Sequence, residues 1–234
     1  MFKKVFIFIV LIGFALILVE SYNFTGSGEE LNEIATRYAE KGPDEVGAAN
    51  LVGAVLVTYR GLDTLGEVAI LFLAASIIGF FLKVKLEEEK VPRKVRKTSE
   101  ILETASKIIT PVIFLFGIYV FLNGHLTPGG GFQGGAIIAS GLVLMLLANP
   151  IKKVNHSIIS IVESISGFAF VFLGILGIFL ASGFLDNSFI GLGDFGKLLS
   201  AGAIPIIYIF IGLKVGSELS GIVSNLQETQ KEEI

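Results

Sequence analysis

The chain has 234 residues, 53% of them hydrophobic and 17% charged, with a formal net charge of −3 and a mean hydropathy of +0.78. A charged share well below the roughly 25% of soluble domains points to an integral membrane protein. The absence of cysteine excludes disulfides, thiolate metal sites, iron–sulfur ligation and a cysteine nucleophile.

Two histidines are too few for a protein-built zinc site, so neither a metal nor a cofactor is expected of this chain. Nucleic acid is not expected as a partner either; membrane lipid is. Val5 to Val19 is an apolar run behind Lys3 and Lys4, the pattern of a signal peptide, but Glu20-Ser21-Tyr22-Asn23 offers no small-residue cleavage site. The reading is an uncleaved first helix from Val5 to Tyr22, near the minimum spanning length of about 17 residues. Residues 23–45, polar and acidic with Gly26, Gly28, Gly42 and Pro43, predict an exposed connection with a short helix at Leu31 to Ala39.

The largely apolar run from Val46 to Leu82 is too long for one span at about 1.5 Å per residue. The polar block Thr58 to Thr64 divides it into an interfacial or re-entrant piece, Asn50 to Val57, and a second helix from Asp63 to Leu82. Lys83 to Lys107 is a charged connection with eight Lys/Arg and five Glu, helical in register from Ser99. The third span runs from Ile108 to Leu122, with Pro111 in its first turn, where proline is tolerated.

Next comes Gly124-His125-Leu126-Thr127-Pro128-Gly129-Gly130-Gly131-Phe132-Gln133-Gly134-Gly135, in which six of twelve residues are glycine. No Gly-Lys-Ser/Thr follows, so it is not a phosphate-cradling loop. It reads either as a flexible connection or as compact backbone packed between helices, which is tolerated at membrane depth where protein or water covers it. The fourth span follows from Phe132 to Ala148, and the fifth from Ile158 to Phe184. A loop over Gly183 to Gly196 leads to a sixth span from Lys197 to Val215. Pro205, behind Ala201-Gly202-Ala203, predicts a kink or unwound turn within it, and the tail from Glu218 reads as polar and frayed.

The predicted fold class is therefore all-α, a polytopic membrane protein with six transmembrane helices. Lys3, Lys4, the eight cations of residues 83–107, Lys152, Lys153, Lys214 and Lys231 would lie inside if the N-terminus is cytoplasmic. Arg37, Lys41, Arg60 and Lys197 would lie outside. Fourteen against four follows the positive-inside rule, which predicts both termini in the cytoplasm and the glycine-rich stretch outside.

Five ionisable residues are candidates for carrying charge. Glu163 lies within the fifth span, where a carboxyl costs about 2.5–3.5 kcal/mol on insertion scales and should face protein or water. It reads as a proton or sodium relay, or as an interfacial carboxyl pairing with Lys152 or Lys153. Asp63 and Glu67 share one helix face, and their repulsion suits Glu67 to proton exchange, while Asp63 caps the helix beside Arg60. Lys214, four residues before Glu218, reads as an interfacial anchor or a conducting residue. His125 is a proton carrier or a structural histidine. Gly212 and Gly216 have the small-xxx-small spacing of close helix packing.

Gly124-His125, then Pro128-Gly129-Gly130-Gly131-Phe132, then Gly134-Gly135, resemble the signature of the B subunit of Mrp-type multisubunit sodium/proton antiporters. That motif has Asn where Leu126 stands and a hydrophobic residue where Gln133 stands. The run from Asn50 to Glu67 resembles the C-terminal tail of the large A subunit of the same antiporters. The resemblance divides the chain into an A-tail-like segment (1–90), a charged connection (91–107), a B-like segment (108–220) and a polar tail (221–234). This fused arrangement resembles the antiporter modules of archaeal respiratory complexes, the membrane-bound hydrogenase and the sulfane sulfur reductase.

The resemblance implies a non-catalytic, multi-pass membrane subunit whose partners are other antiporter subunits and iron–sulfur or hydrogenase-like chains. Two roles stay open: an ion-translocating subunit using Glu67, Glu163 and His125, or a structural subunit with no ion path, in either case within a respiratory complex or a stand-alone antiporter. A self-contained transporter would need an inverted repeat, which is missing. An enzyme acting alone would need a nucleophile–base set or cofactor motif, and neither occurs.

Overall fold

The computed structural model describes residues 2–25, 31–88, 98–150 and 154–229. Among these there are helices and turns but no strand, and six helices are long and apolar enough to cross a membrane. The chain divides into two units, Met1–Lys41 and Gly42–Ile234. In the first, helix α1 (Phe2–Thr25) exposes apolar side chains on every side, as a helix does that is surrounded by lipid or by other helices. Helix α2 (Glu33–Val46) starts after the predicted Leu31, where Asn32 Oδ1 caps it by accepting from Ala35 N–H at 2.8 Å, and runs past the predicted end at Ala39 to Val46.

The second unit opens with a short helix, α3 (Leu51–Ala54), capped by Asn50. It runs into one π-helical turn, Val55–Tyr59, closed by Arg60 N–H donating to Val55 O at 2.8 Å. The spanning helices follow as α4 (Gly61–Glu88), α5 (Glu100–Leu122), α6 (Gly131–Ala148), α7 (His156–Leu180) and α8 (Ile204–Thr229). The core gathers around α8, with Ile204, Ile207, Tyr208, Ile211 and Val215 packed against Phe121 and Phe170.

Several boundaries differ from the sequence reading. Helix α5 begins near Ser99, whose Oγ accepts from Leu102 N–H at 3.3 Å, so residues 100–107 are its first turns and not a surface segment. Helix α7 ends at Leu180; the chain then folds back so that Leu185 N–H donates to Gly174 O at 3.4 Å. Helix α8 starts at Ile204, not Lys197. Ala201 and Gly202 adopt left-handed conformations (φ 63° and 55°) that no right-handed helix can pass through. Buried Asn187 holds that turn, donating from Nδ2 to Val46 O at 2.8 Å and to Ala201 O at 2.9 Å.

The later start places Pro205 in the first turn of α8, where its missing N–H costs nothing, so it does not kink a span. The later end turns the predicted frayed tail at 218–229 into helix, with Glu218, Ser220 and Ser224 buried. The last residues of the predicted charged connection, 98–107, are described, while 89–97 lie outside the described residues, as do 151–153 and 230–234.

The glycine-rich stretch is half loop and half helix. Asn50 pins the loop, its Nδ2 donating to Gly124 O at 2.7 Å and to Thr127 O at 3.1 Å, while its own N–H donates to His125 O at 2.9 Å. Gly131, Gly134 and Gly135 open α6 and let it touch both neighbours through backbone. A Cβ on Gly135 would meet Gly212 O of α8 at 2.7 Å, and one on Gly134 would meet Gly117 O of α5 at 2.6 Å. Such contacts are open only to residues without a side chain.

Candidate functional site

A buried ion cluster lies where α7 and α8 face α4. Lys214 stands near the middle of α8 and is 6% exposed; Glu218, one turn on, is 1% exposed. The Lys214 ammonium donates to Glu218 Oε1 at 2.5 Å and lies 3.7 Å from Glu163 Oε1 on α7. It also sits 4.7 Å from the centroid of the Phe72 ring on α4, a cation–π contact that strengthens as water is excluded. Gly167 on α7 leaves room for the lysine stem, since a Cβ there would lie 3.1 Å from Lys214 Cδ and Cε. The other oxygen of Glu218, Oε2, has no hydrogen-bond partner among the described residues.

A cleft of about 300 Å³ opens beside the cluster, lined by Ser76, Gly79 and Phe80 of α4, Glu163 of α7, and Glu218 and Asn225 of α8, among others. Ser224 of α8 lies 3.5 Å from His156, the first residue of α7. Glu163 is two turns further along, so the cluster stands about 10 Å inside that end of the bundle at 1.5 Å rise per residue.

The predicted site residues therefore fall into separate places. Glu163 and Lys214 meet across α7 and α8. Their separation in sequence hid this contact, and the alternative partners Lys152 and Lys153 lie outside the described residues. Lys214 is a buried, internal residue of α8 and not the penultimate residue of a span ending at Val215.

Asp63 pairs with Arg60 at 2.5 Å, with both side chains about half exposed. Glu67 is exposed on α4, and it has no ion pair among the described residues. Glu218 was missing from the sequence candidates although its spacing from Lys214 puts both on one helix face. Ser217 just before it and Ser220, Ser224 and Asn225 beyond it were the available signal, polar residues recurring along the helix.

His125 is at the opposite end of the bundle. It is fully buried, with Nε2 3.4 Å from Lys197 O and Nδ1 without a partner among the described residues. Burial holds its pKa below the usual 6.5, only partly offset by backbone contacts at Lys197, Leu198 and Leu122. The neutral form is thus favoured in the fold, and the stability it contributes is complete above the unfolded value of about 6.5 and is lost as the pH falls below it. Thermal dissociation of the assembled protein should accordingly show a loss from pH 7.5 to pH 5 that His125→Gln reduces. An equal loss in the variant would place the titrating group elsewhere.

The sequence profile described as "Domain related to MnhB subunit of Na+/H+ antiporter" matches residues 101–221, and a second profile, that of the E subunit of MBH, matches residues 3–94. A chain in the structure of the membrane-bound sulfane sulfur reductase, an archaeal respiratory membrane complex, is similar over 97% of this chain and 98% of its own, with 37% identity and a TM-score of 0.80. An uncharacterised protein of Methanocaldococcus jannaschii is 29% identical over 195 residues, 73% of this chain and 74% of its own. The B subunit of the Na+/H+ antiporter of Bacillus subtilis is 51% identical over 61 residues, 26% of this chain. The matched region is 43% of that bacterial relative's length.

Proposed function

Since the chain belongs to the family of domains related to the MnhB subunit of the Na+/H+ antiporter, we propose that its Lys214–Glu163–Glu218 cluster is a station on an ion path. The chain is a membrane subunit of an Mrp-type antiporter module like those of archaeal respiratory complexes. Its partners are the other antiporter-like and respiratory subunits of such an assembly. It performs no bond chemistry of its own: electron transfer belongs to other chains, and this one moves charge. Its segments are an A-tail-like piece over 1–90, the charged connection 91–107 and a B-like piece over 108–220.

The observation that carries this reading is the buried ammonium shared between carboxylates of two spanning helices. Burying such a group is expensive and stabilises a fold less than apolar packing of the same volume would, so its presence inside a span speaks for use. With Lys214 placed within α8, thirteen other cations fall on the inner side and four on the outer. That balance supports cytoplasmic termini. The cluster then lies near the inner surface, and His125 and the exposed Glu67 and Asp63 near the outer one.

A structural role without an ion path is the alternative, favoured by the backbone contacts of Gly134 and Gly135. Flux in the reconstituted complex separates the two. Glu163→Gln should lower Na+ and H+ flux about tenfold or more, as a barrier raised by roughly 1.4 kcal/mol would, with the subunits still assembled. Glu67→Gln, on the outward face, should change it little. Normal assembly with unchanged flux in Glu163→Gln would leave the structural role standing.

A further inference from the structure

The cleft beside the cluster has the features of a binding site. Resting on the reading above, we infer that it takes one monovalent cation between Glu163 and Glu218, Na+ in exchange with a proton, and that this cation competes with the Lys214 ammonium. The first ground is Glu218 Oε2. It belongs to a carboxylate that is 1% exposed, it has no partner among the described residues, and Glu218 lines the cleft. A buried carboxylate oxygen left unpaired is costly, so it calls for a partner.

The second ground is charge balance. Two carboxylates and one ammonium leave one uncompensated negative charge, which one Na+ or one proton would cancel. Nothing else among the described residues packed around them does so. Helix α4 presents Ala75, Ser76, Gly79 and Phe80 to the cleft, and α6 has no ionisable residue. On α5, Lys107 pairs with Glu103 at 2.9 Å, both largely exposed; on α7, the next titratable group is His156, two turns from Glu163.

The third ground is the neutral lining. Ser76 and Asn225 bring a hydroxyl and an amide to the same cleft as the carboxylates, and oxygen donors of these kinds suit hard cations. The Phe72 ring, 4.7 Å from the ammonium, gives Lys214 a place to remain when a cation takes its carboxylate.

The chain has no cysteine, so one introduced thiol can be followed in the intact complex by tagging this subunit. Ile222→Cys, on the cleft wall, should react with a small methanethiosulfonate reagent. Na+ at ten times its dissociation constant should slow that reaction about tenfold by occupancy, whereas N-methylglucamine at equal ionic strength should not. Lower pH should weaken the Na+ protection, and Glu218→Gln should abolish it, so that in this variant the rates with and without Na+ become equal. Ile206→Cys, near the other end of α8, should be indifferent to Na+.

An unreactive thiol, a rate untouched by Na+, or protection that survives Glu218→Gln would each overturn the site. A response to pH alone would mean that a proton is the sole occupant and would overturn the exchange with Na+. Protection without any flux defect in Glu163→Gln would remove the proposed transport role and leave the site. A flux defect without protection would do the reverse.

Discussion

Replacing Lys214 with methionine should destabilise the subunit by about 3–5 kcal/mol, the usual consequence of removing one partner from a buried ion pair. Methionine matches the lysine stem in volume, and the room provided by Gly167 remains, so the loss is electrostatic and not steric. Glu218, 1% exposed, would be left buried without the ammonium that sits 2.5 Å away. Adding Glu218→Gln should recover most of the stability, because an uncharged pair no longer needs compensation. Heat-induced loss of the subunit from the purified complex reads both effects. Flux should stay low in the double variant, since Glu163 alone of the three charged groups remains. If Lys214→Met alone dissociates at the wild-type temperature, the pair is not a buried one.

The second large effect is steric and has a sign that helix propensity alone would invert. A glycine in a helix interior is replaced by alanine with a gain of roughly 0.5–1 kcal/mol where there is space. Gly66, in α4, has nothing within 4 Å of its would-be Cβ, so Gly66→Ala should raise the dissociation temperature. Gly135 faces Gly212 O at 2.7 Å and Val215 Cβ at 2.8 Å, both fixed in α8. Gly135→Ala should lower it, and Gly135→Val should cost more than the 1–3 kcal/mol or so typical of overpacking. Equal responses at the two positions would mean that α6 and α8 are not held backbone to backbone.

The six spans were legible because each is an apolar run with few charges, and a bilayer demands little else of a sequence. The ends of α8 were not. Lys197 to Ala203 looks like the start of an apolar helix, and only the buried Asn187, bonded to Val46 O and Ala201 O, shows that the chain turns there instead. At the other end, serines and a glutamate after an apolar run read as the edge of the membrane, whereas in the fold they face protein. The shift of the helix end from Val215 to Thr229 moved Lys214 from near the end of the helix to its interior.

Glu163 stood out as a lone carboxyl among apolar neighbours, and the spacing of Lys214 and Glu218 was visible. Their meeting across two helices was not, since a single sequence carries periodicity within an element but no register between elements. The glycine-rich stretch was conspicuous in composition, yet which glycine serves the loop and which the helix depended on the positions of Asn50, Gly117 and Gly212.

The two-sided backbone contact of α6 also divides the molecule mechanically. Helices α5, α6 and α8 are joined where no side chain intervenes, so sliding one past another would drive carbonyls into Cα atoms and is costly in a close-packed interior. Helix α4 meets the ammonium through an aromatic ring and α7 through a carboxylate, groups that can swing by rotamer changes without disturbing a backbone. Any opening of the cleft would therefore cost least at α4 and α7, with the glycine-joined helices as the frame against which they pack.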